Sequence, residues 1–413
     1  MGQYRLFRWV VWGLALLFSY YELVLRVSPS VMVPELEGSF QVSAGVVGSV
    51  SAFYLYAYAP LQFPIGVMMD RYGARSLLSI ASALCGLGAL LFSIAPYLAL
   101  AGGGRFLMGA GSAFAWVGLV YVVTQWFPAG RLALLIGLSN SLGMLGAVTG
   151  QGPLSFAITH FGWRPSMLVL GLFGFALATL LYFTARKDPP NVTKASLPPT
   201  FGRLWYQAKG VLQNGQSWVI AVGTLFFYIP IVCFAALWGV PFIRAVYGVS
   251  QNGAAFTTSL IYIGFIVGGP IIGLLADRFQ ARKGLLIAST SLALLALMPI
   301  LYLPQIGIRW ASLLLFCLGL FCSAQLLAYS YVTRINVAAA KGTAIAFTNT
   351  MVFVGGALVQ PLIGILLDLF FPTEGASPSP GAYQAVLALC PATLLIALMV
   401  YTLLRPSKAG VTA

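Results

Sequence analysis

Charged side chains are so sparsely and unevenly placed along this chain that they mark out long apolar runs, and this spacing constrains the fold more than any other feature. Twelve runs of about 20 residues or more, the length a helix needs to cross a hydrocarbon core, lie between turns and charged clusters: 9–31, 44–69, 76–95, 98–125, 132–157, 165–184, 217–242, 252–276, 284–303, 309–333, 342–370 and 382–404. Lipid offers a backbone no hydrogen bonds, so each run must satisfy its own N–H and C=O groups as a helix. The expected fold class is an all-α membrane protein with twelve transmembrane helices. The first run is expected to remain as a span and not to be a cleaved signal peptide. It carries Glu22 and Arg26, is too long for a signal core, and lacks an A-x-A-like cleavage site.

Composition excludes the alternatives. Only 7% of the 413 residues are charged and 60% are hydrophobic, whereas a soluble domain carries roughly 25% charged residues, so this chain has too little polar surface to cover a globule in water. The formal charge of +14 does not indicate a nucleic-acid partner, because the basic residues flank apolar runs instead of forming one patch. His160 is the sole histidine, and Cys85, Cys233, Cys317, Cys322 and Cys390 all lie inside apolar runs, where they read as small core residues. No metal, cofactor or catalytic residue is expected, and the chain does not read as an enzyme.

Short cytoplasmic loops are enriched in Lys and Arg. With both termini inside, 17 of the 22 basic residues are cytoplasmic; the others are Arg26, Arg105, Arg164, Arg244 and Arg309. The acidic residues Asp70, Asp188 and Asp277 share that face, so the entire net charge is cytoplasmic and acts as a topology signal. The expected location is a bacterial inner membrane. One long polar connection divides the chain into an N-terminal six-helix bundle (1–184), a cytoplasmic linker (185–216) and a C-terminal six-helix bundle (217–413). The sequon Asn191-Val192-Thr193 falls in the linker and is expected to be inert there. An internal repeat supports the division: a shift of 207 residues lays Val42-Ser43 on Val249-Ser250 and Asp70-Arg71 on Asp277-Arg278, and shifts of 208 or 209 lay Asn140 on Asn349 and Gln151 on Gln360. Parallel six-helix repeats are what a transporter rocking about a central site requires.

After the second run the chain reads Gly66-Val-Met-Met-Asp70-Arg71-Tyr-Gly73-Ala-Arg75, and after the eighth Gly273-Leu-Leu-Ala-Asp277-Arg278-Phe-Gln280-Ala-Arg282-Lys283. With twelve spans, a central loop and Arg105-Phe-Leu-Met-Gly109 in span 4, the chain resembles the major facilitator superfamily over nearly its whole length. The second copy of the loop departs from the pattern at Gln280. The resemblance implies two six-helix bundles about a pseudo-two-fold axis, and a cytoplasmic gate formed here by Asp70, Arg71 and Arg75, with Asp277 and Arg278 at the repeated positions. Simple positive-inside anchoring accounts equally well for Arg282 and Lys283. In span 5, glycines at three- and four-residue spacing from Gly137 to Gly152 read as a smooth face for another helix, and they loosely resemble the glycine-proline motif of the superfamily's antiporters.

Only three ionisable residues fall at membrane depth: Glu22, Arg26 and Arg105. At 1.5 Å per residue, Glu22 and Arg26 lie about 21 and about 27 Å along their helix from Arg8, and Arg105 lies about 31 Å from Trp126, so all three share the outer half. Two guanidiniums in a low-dielectric cavity form an anion site, each able to grip a carboxylate bidentately. The stretch Glu22-Leu-Val-Leu-Arg26, with Arg105 in span 4, is similar to the organic-anion:cation symporters of the superfamily, which use an arginine in each of these helices. Two positions depart from that pattern: Leu25 and Ser112 stand where carboxylates are expected, the second being the proton carrier. Glu22 is the candidate for the coupling role; the alternative is that Glu22 and Arg26 only neutralise each other, and that Arg105 only bonds to helix 1. Tyr54, Tyr228, Tyr262, Gln325 and Tyr329 are candidates for hydrogen bonds and stacking, and the symmetric amides Asn140 and Asn349 for the cavity wall.

The expected function is secondary active transport of a small organic anion or zwitterion by alternating access, with a proton as the candidate co-substrate. The alternative is a proton-coupled efflux antiporter for drugs or siderophores. The expected partners are the small-molecule substrate, a proton and the lipid bilayer, with no nucleic acid and with the chain as a monomer.

Overall fold

The computed structural model describes residues 2–184, 208–279, 281–337, 340–370 and 378–405. Linker residues 185–207, with the Asn191 sequon, and Gln280 lie outside them. Among the described residues, eleven helices are long and apolar enough to cross a membrane. In chain order the helices are α1 (Gly2–Val27), α2 (Val33–Phe40), α3 (Ala44–Leu61), α4 (Ile65–Ile94), α5 (Leu98–Trp126), α6 (Leu132–Thr149), α7 (Gly152–Phe161) and α8 (Trp163–Thr184). The second set is α9 (208–213), α10 (Gly215–Phe227), α11 (Gly239–Tyr247), α12 (Gln251–Phe279), α13 (Arg282–Tyr302), α14 (Gly307–Cys322), α15 (Gln325–Arg334), α16 (Lys341–Phe370), α17 (Pro380–Val386) and α18 (Leu389–Thr402).

Several expected spans are built from more than one helix. Span 5 is α6 and α7, interrupted at Gly150–Gln151. Span 7 joins α10 to α11 through a π-helical stretch, Pro230–Trp238, whose residues are all buried. Span 2, expected to reach residue 69, ends at Leu61. Pro64 then starts α4, which carries the Asp70-Arg71 loop motif on helical backbone either side of Gly73. Proline offers no N–H to continue a helix. Gly73 sits at φ 76°, a left-handed conformation that glycine adopts without a Cβ penalty, so the motif glycine is the hinge of this turn.

The spans form the two-bundle arrangement expected. In the first bundle α4 packs between α5 and α8, and α1 lies against α5 and α6; in the second, α12 and α13 flank α14, and α10 lies between α16 and α18. Small residues set these distances. A Cβ on Gly88 would stand 2.5 Å from the Gly104 carbonyl oxygen, and one on Gly104 would stand 2.6 Å from that of Gly88, so α4 and α5 touch backbone to backbone. The glycines of span 5 serve the same purpose. Gly146 faces the Tyr20 backbone, Gly150 faces Val24, and Gly143 faces Ser19, all on α1. Replacing Gly146 by leucine is expected to drive α6 off α1 and to sharply reduce the yield of monodisperse protein. Size-exclusion chromatography against Gly137→Leu, where a Cβ meets open space, checks this.

The two bundles meet along α3 and α16 and along α12 with α6 and α7. Hydrogen bonds between them gather at the end remote from the termini: Ser155 Oγ to Asn252 Oδ1 (2.8 Å), Gln251 Nε2 to Val31 O (3.1 Å) and Ser43 Oγ to Asp368 Oδ2 (2.6 Å). Gln151 on the first bundle donates to the Ala235 carbonyl (2.6 Å), and its repeat partner Gln360 donates to Val232 (2.6 Å). Both amides thus bond carbonyls of the π-helical stretch. The remote end of the molecule is closed in this structure.

Candidate functional site

Helix α1 enters from the N-terminal end and presents Glu22 and Arg26 one turn apart on one face, as i and i+4 positions must lie. Arg26 Nη2 donates to Glu22 Oε2 at 2.9 Å and to Oε1 at 3.1 Å. Glu22 is almost fully enclosed at 4% side-chain exposure, whereas Arg26 keeps 14%. The second donor to Glu22 is the Tyr54 hydroxyl, from α3, at 2.9 Å. Two donors satisfy the carboxylate, which is the condition for keeping it buried.

Arg26 is held in an aromatic box. Its guanidinium carbon lies 4.6 Å from the Tyr58 ring centroid, 4.9 Å from Phe353 and 5.9 Å from Tyr54. Phe353 belongs to α16, so both bundles build this box, and its edge meets the Tyr58 ring at 4.5 Å. Ring faces stabilise a desolvated cation through their quadrupoles without consuming its N–H donors. Arg26 Nε accordingly remains buried with no hydrogen-bond partner among the described residues.

Arg105 is placed differently. It is 2% exposed; its Nη1 donates to Leu25 O at 2.8 Å and its Nη2 to Ser51 O at 3.4 Å. Its guanidinium stacks on the Tyr54 ring at 4.8 Å, and its Nη1 and Nη2 donors are taken by these carbonyls. The expectation that both arginines converge as one clamp is therefore not met in this conformation. Arg105 ties α1 and α3 to α5, and Arg26 alone faces the space between the bundles.

A chain of hydrogen bonds crosses from one bundle to the other. Gln325 Nε2 donates to the Tyr329 hydroxyl (2.9 Å), Tyr329 donates to Asn349 Oδ1 (2.6 Å), Asn349 Nδ2 donates to Gln62 Oε1 (3.0 Å), and Gln62 Nε2 donates to Ala113 O (3.3 Å). Three of the expected residues are thus brought together, on α15 and α16, and are joined to Gln62, which sequence reasoning overlooked. A polar amide inside the run 44–69 was the available signal. Phe353, one of 28 phenylalanines, carried none.

Tyr228 and Tyr262 stand on the second bundle. Tyr228 packs its ring at 6.2 Å from Phe265, and the Tyr262 hydroxyl is buried with no partner among the described residues. Both phenols lie within electrostatic reach of Arg26. Asn140 is half-buried on α6. A groove of about 550 Å³ between α16 and α17–α18, lined by Leu366, Phe370, Val386 and Leu389 among others, presents only apolar side chains and offers nothing to orient an anion.

The contacts described for Arg71 and Arg75 stay within the first bundle. Arg75 donates Nε–H to Tyr182 O at 3.0 Å and stacks on that ring, capping the end of α8. Arg71 lies 5.2 Å from the ring of its neighbour Tyr72. Arg282 meets Asp277 at 3.7 Å and Ser330 Oγ at 3.1 Å, while Arg278 is exposed. The side chain of Asp70 lies outside the described residues.

Comparison with known proteins accords with this architecture. The model of the family described as Major Facilitator Superfamily matches residues 13–239 and 220–413. The chain is similar to the probable sulfoacetate transporter SauU of Cupriavidus necator, with 23% identity over 288 residues, 67% of this chain and 66% of that protein. It is likewise similar to the hexuronate transporter of Bacillus subtilis, with 25% identity over 280 residues, 63% of each. The chain thus spans slightly less than two thirds of the length of these curated relatives. Among solved structures, a bacterial homologue of the human lysosomal transporter Spinster, in an inward-facing and unoccupied conformation, superposes with a TM-score of 0.76 at 18% identity, over 96% of this chain and 97% of that one.

Proposed function

Because this chain belongs to the major facilitator superfamily and its relatives include named transporters, we propose that it is a transporter and not an enzyme, and that it carries a small organic anion or zwitterion across the membrane by alternating access. The observation that carries this reading is Arg26: a cation at membrane depth, partly exposed between the bundles, boxed by Tyr58 and Phe353, with an N–H still unfilled. A substrate carboxylate entering that box would take the fork of N–H donors that Glu22 now shares. The transporters of sulfoacetate and of hexuronate among its relatives, both named for organic anions, support the same class. Tyr228, Tyr262, Gln325, Tyr329, Asn349 and Asn140 are the groups proposed to receive the rest of the molecule, with Tyr54 holding Glu22 and packing near both guanidiniums.

The bundles 1–184 and 217–413, joined by the linker 185–216, are the proposed rocking units. The surplus of basic residues supports placing the terminal end in the cytoplasm of a bacterial inner membrane, with Asp70, Arg71, Arg75, Asp277 and Arg278 closing that end in the opposite conformation. Ligand-induced thermal stabilisation of the purified protein by a panel of carboxylates, sulfonates, amino acids and sugar acids tests the reading. Stabilisation by at least one anion is expected, and no response to any carboxyl-bearing compound discards it.

Glu22 is the proposed proton carrier. A substrate carboxylate on Arg26 leaves Glu22 with Tyr54 alone, in surroundings where a buried charge without a cation is costly, so loading the anion favours loading a proton. Glu22→Gln is expected to abolish accumulation driven by a proton gradient while retaining exchange of labelled for unlabelled substrate. Unchanged accumulation in proteoliposomes removes Glu22 from this role.

A further inference from the structure

The end remote from the termini carries a set of charged groups that the anion site does not use. Asp368, in the last turn of α16, accepts hydrogen bonds from Ser43 Oγ at 2.6 Å and from the Gly45 backbone N–H at 2.9 Å, both on one carboxylate oxygen. Ser43 is the residue that precedes α3, and its own side chain does not cap that helix. A carboxylate of the second bundle therefore caps the N-terminus of a helix of the first. The opening N–H groups of a helix lack internal partners and lie at the positive end of its dipole, so a carboxylate stabilises them on both counts.

The contact needs the two helices to touch. A Cβ on Gly45 would overlap the Asp368 carboxylate, one on Gly364 would stand 2.7 Å from the Ala44 carbonyl oxygen, and one on Gly48 would stand 3.0 Å from that of Gln360. Rocking the bundles to open this end must pull Asp368 off Ser43 and Gly45, since the donors and the acceptor belong to different bundles.

Arg164 stacks over Phe40 and Trp163 and donates to Ser93 O and Ala95 O.

We propose that Asp368 is the latch that holds the remote end of the molecule shut. The inference rests on rocking of the two bundles and not on the nature of the substrate.

The test is a distance measurement by spin labels at Phe161→Cys and Gly381→Cys, exposed positions at this end of the first and second bundles, in full-length protein in nanodiscs with half-buried Cys317 replaced by serine. The wild-type background is expected to hold the short distance, and Asp368→Ala should move the population toward the long distance about tenfold. Ser43→Ala, which removes one of the two donors and no charge, should shift it about fivefold in the same direction. Wild-type distances in both Asp368→Ala and Ser43→Ala overturn the latch. Because no ligand enters the measurement, these outcomes are separable from failure of the anion site.

Discussion

Replacing Arg26 by alanine is expected to weaken binding of the substrate anion about a hundredfold and to abolish uptake, while leaving the protein folded. A carboxylate loses its bidentate partner, and truncating one member of a desolvated charge pair costs about 3 kcal/mol, which is about two decades in Kd. The fold survives because, among the described residues, Arg26 bonds to no backbone carbonyl; its hydrogen bonds go to Glu22, which keeps the Tyr54 hydroxyl and can take up a proton. Thermal-shift titration with the best ligand of the wild-type screen measures the loss, and the unfolding midpoint without ligand checks the fold. Arg26→Lys should recover only part of the affinity, because an ammonium supplies the charge without the planar fork. Affinity equal to wild type in Arg26→Ala would remove Arg26 from the site.

Arg105→Ala should behave in the opposite way: a loss of about 3 kcal/mol of stability in the absence of any ligand, with affinity changed little in the fraction that folds. Its guanidinium makes charge-assisted bonds to Leu25 O and Ser51 O and stacks on Tyr54, so it joins three helices of the first bundle. Removing it also leaves Tyr54 without the cation on one face, which loosens the donor that holds Glu22. Denaturant titration in detergent compares the two alanine variants directly. A wild-type midpoint together with lost affinity in Arg105→Ala would restore the two-arginine clamp.

The contrast between the two arginines marks how far the sequence can be read. Their depth follows from counting residues along helices of fixed rise, and the pairing of Glu22 with Arg26 follows from a separation of four. Which guanidinium keeps its Nη groups clear of backbone carbonyls does not, because Arg105 is claimed by carbonyls of Leu25 and Ser51, 80 and 54 residues away. The glycine face of span 5 was legible as a packing surface, and the structure seats it on α1. The interruption of that span at Gly150–Gln151 and the early end of span 2 were missed, since hydropathy sums side chains and is blind to the backbone. Gln62 illustrates the same limit: an amide in an apolar run is visible, but its place in the chain through Asn349 depends on α3 meeting α16.

The sequence by itself determined the number, limits and helical character of most spans, because transfer of an apolar segment into lipid is a local sum and the backbone must satisfy itself within each segment. It also determined the repeat and the turn at Gly73, where φ is positive. Only the tertiary structure decided which polar side chains meet. Asp368 finds Ser43 across 325 residues and Gln360 finds the carbonyl of Val232 across 128, and in a medium without water a buried polar group bonds to whichever partner packing brings within reach.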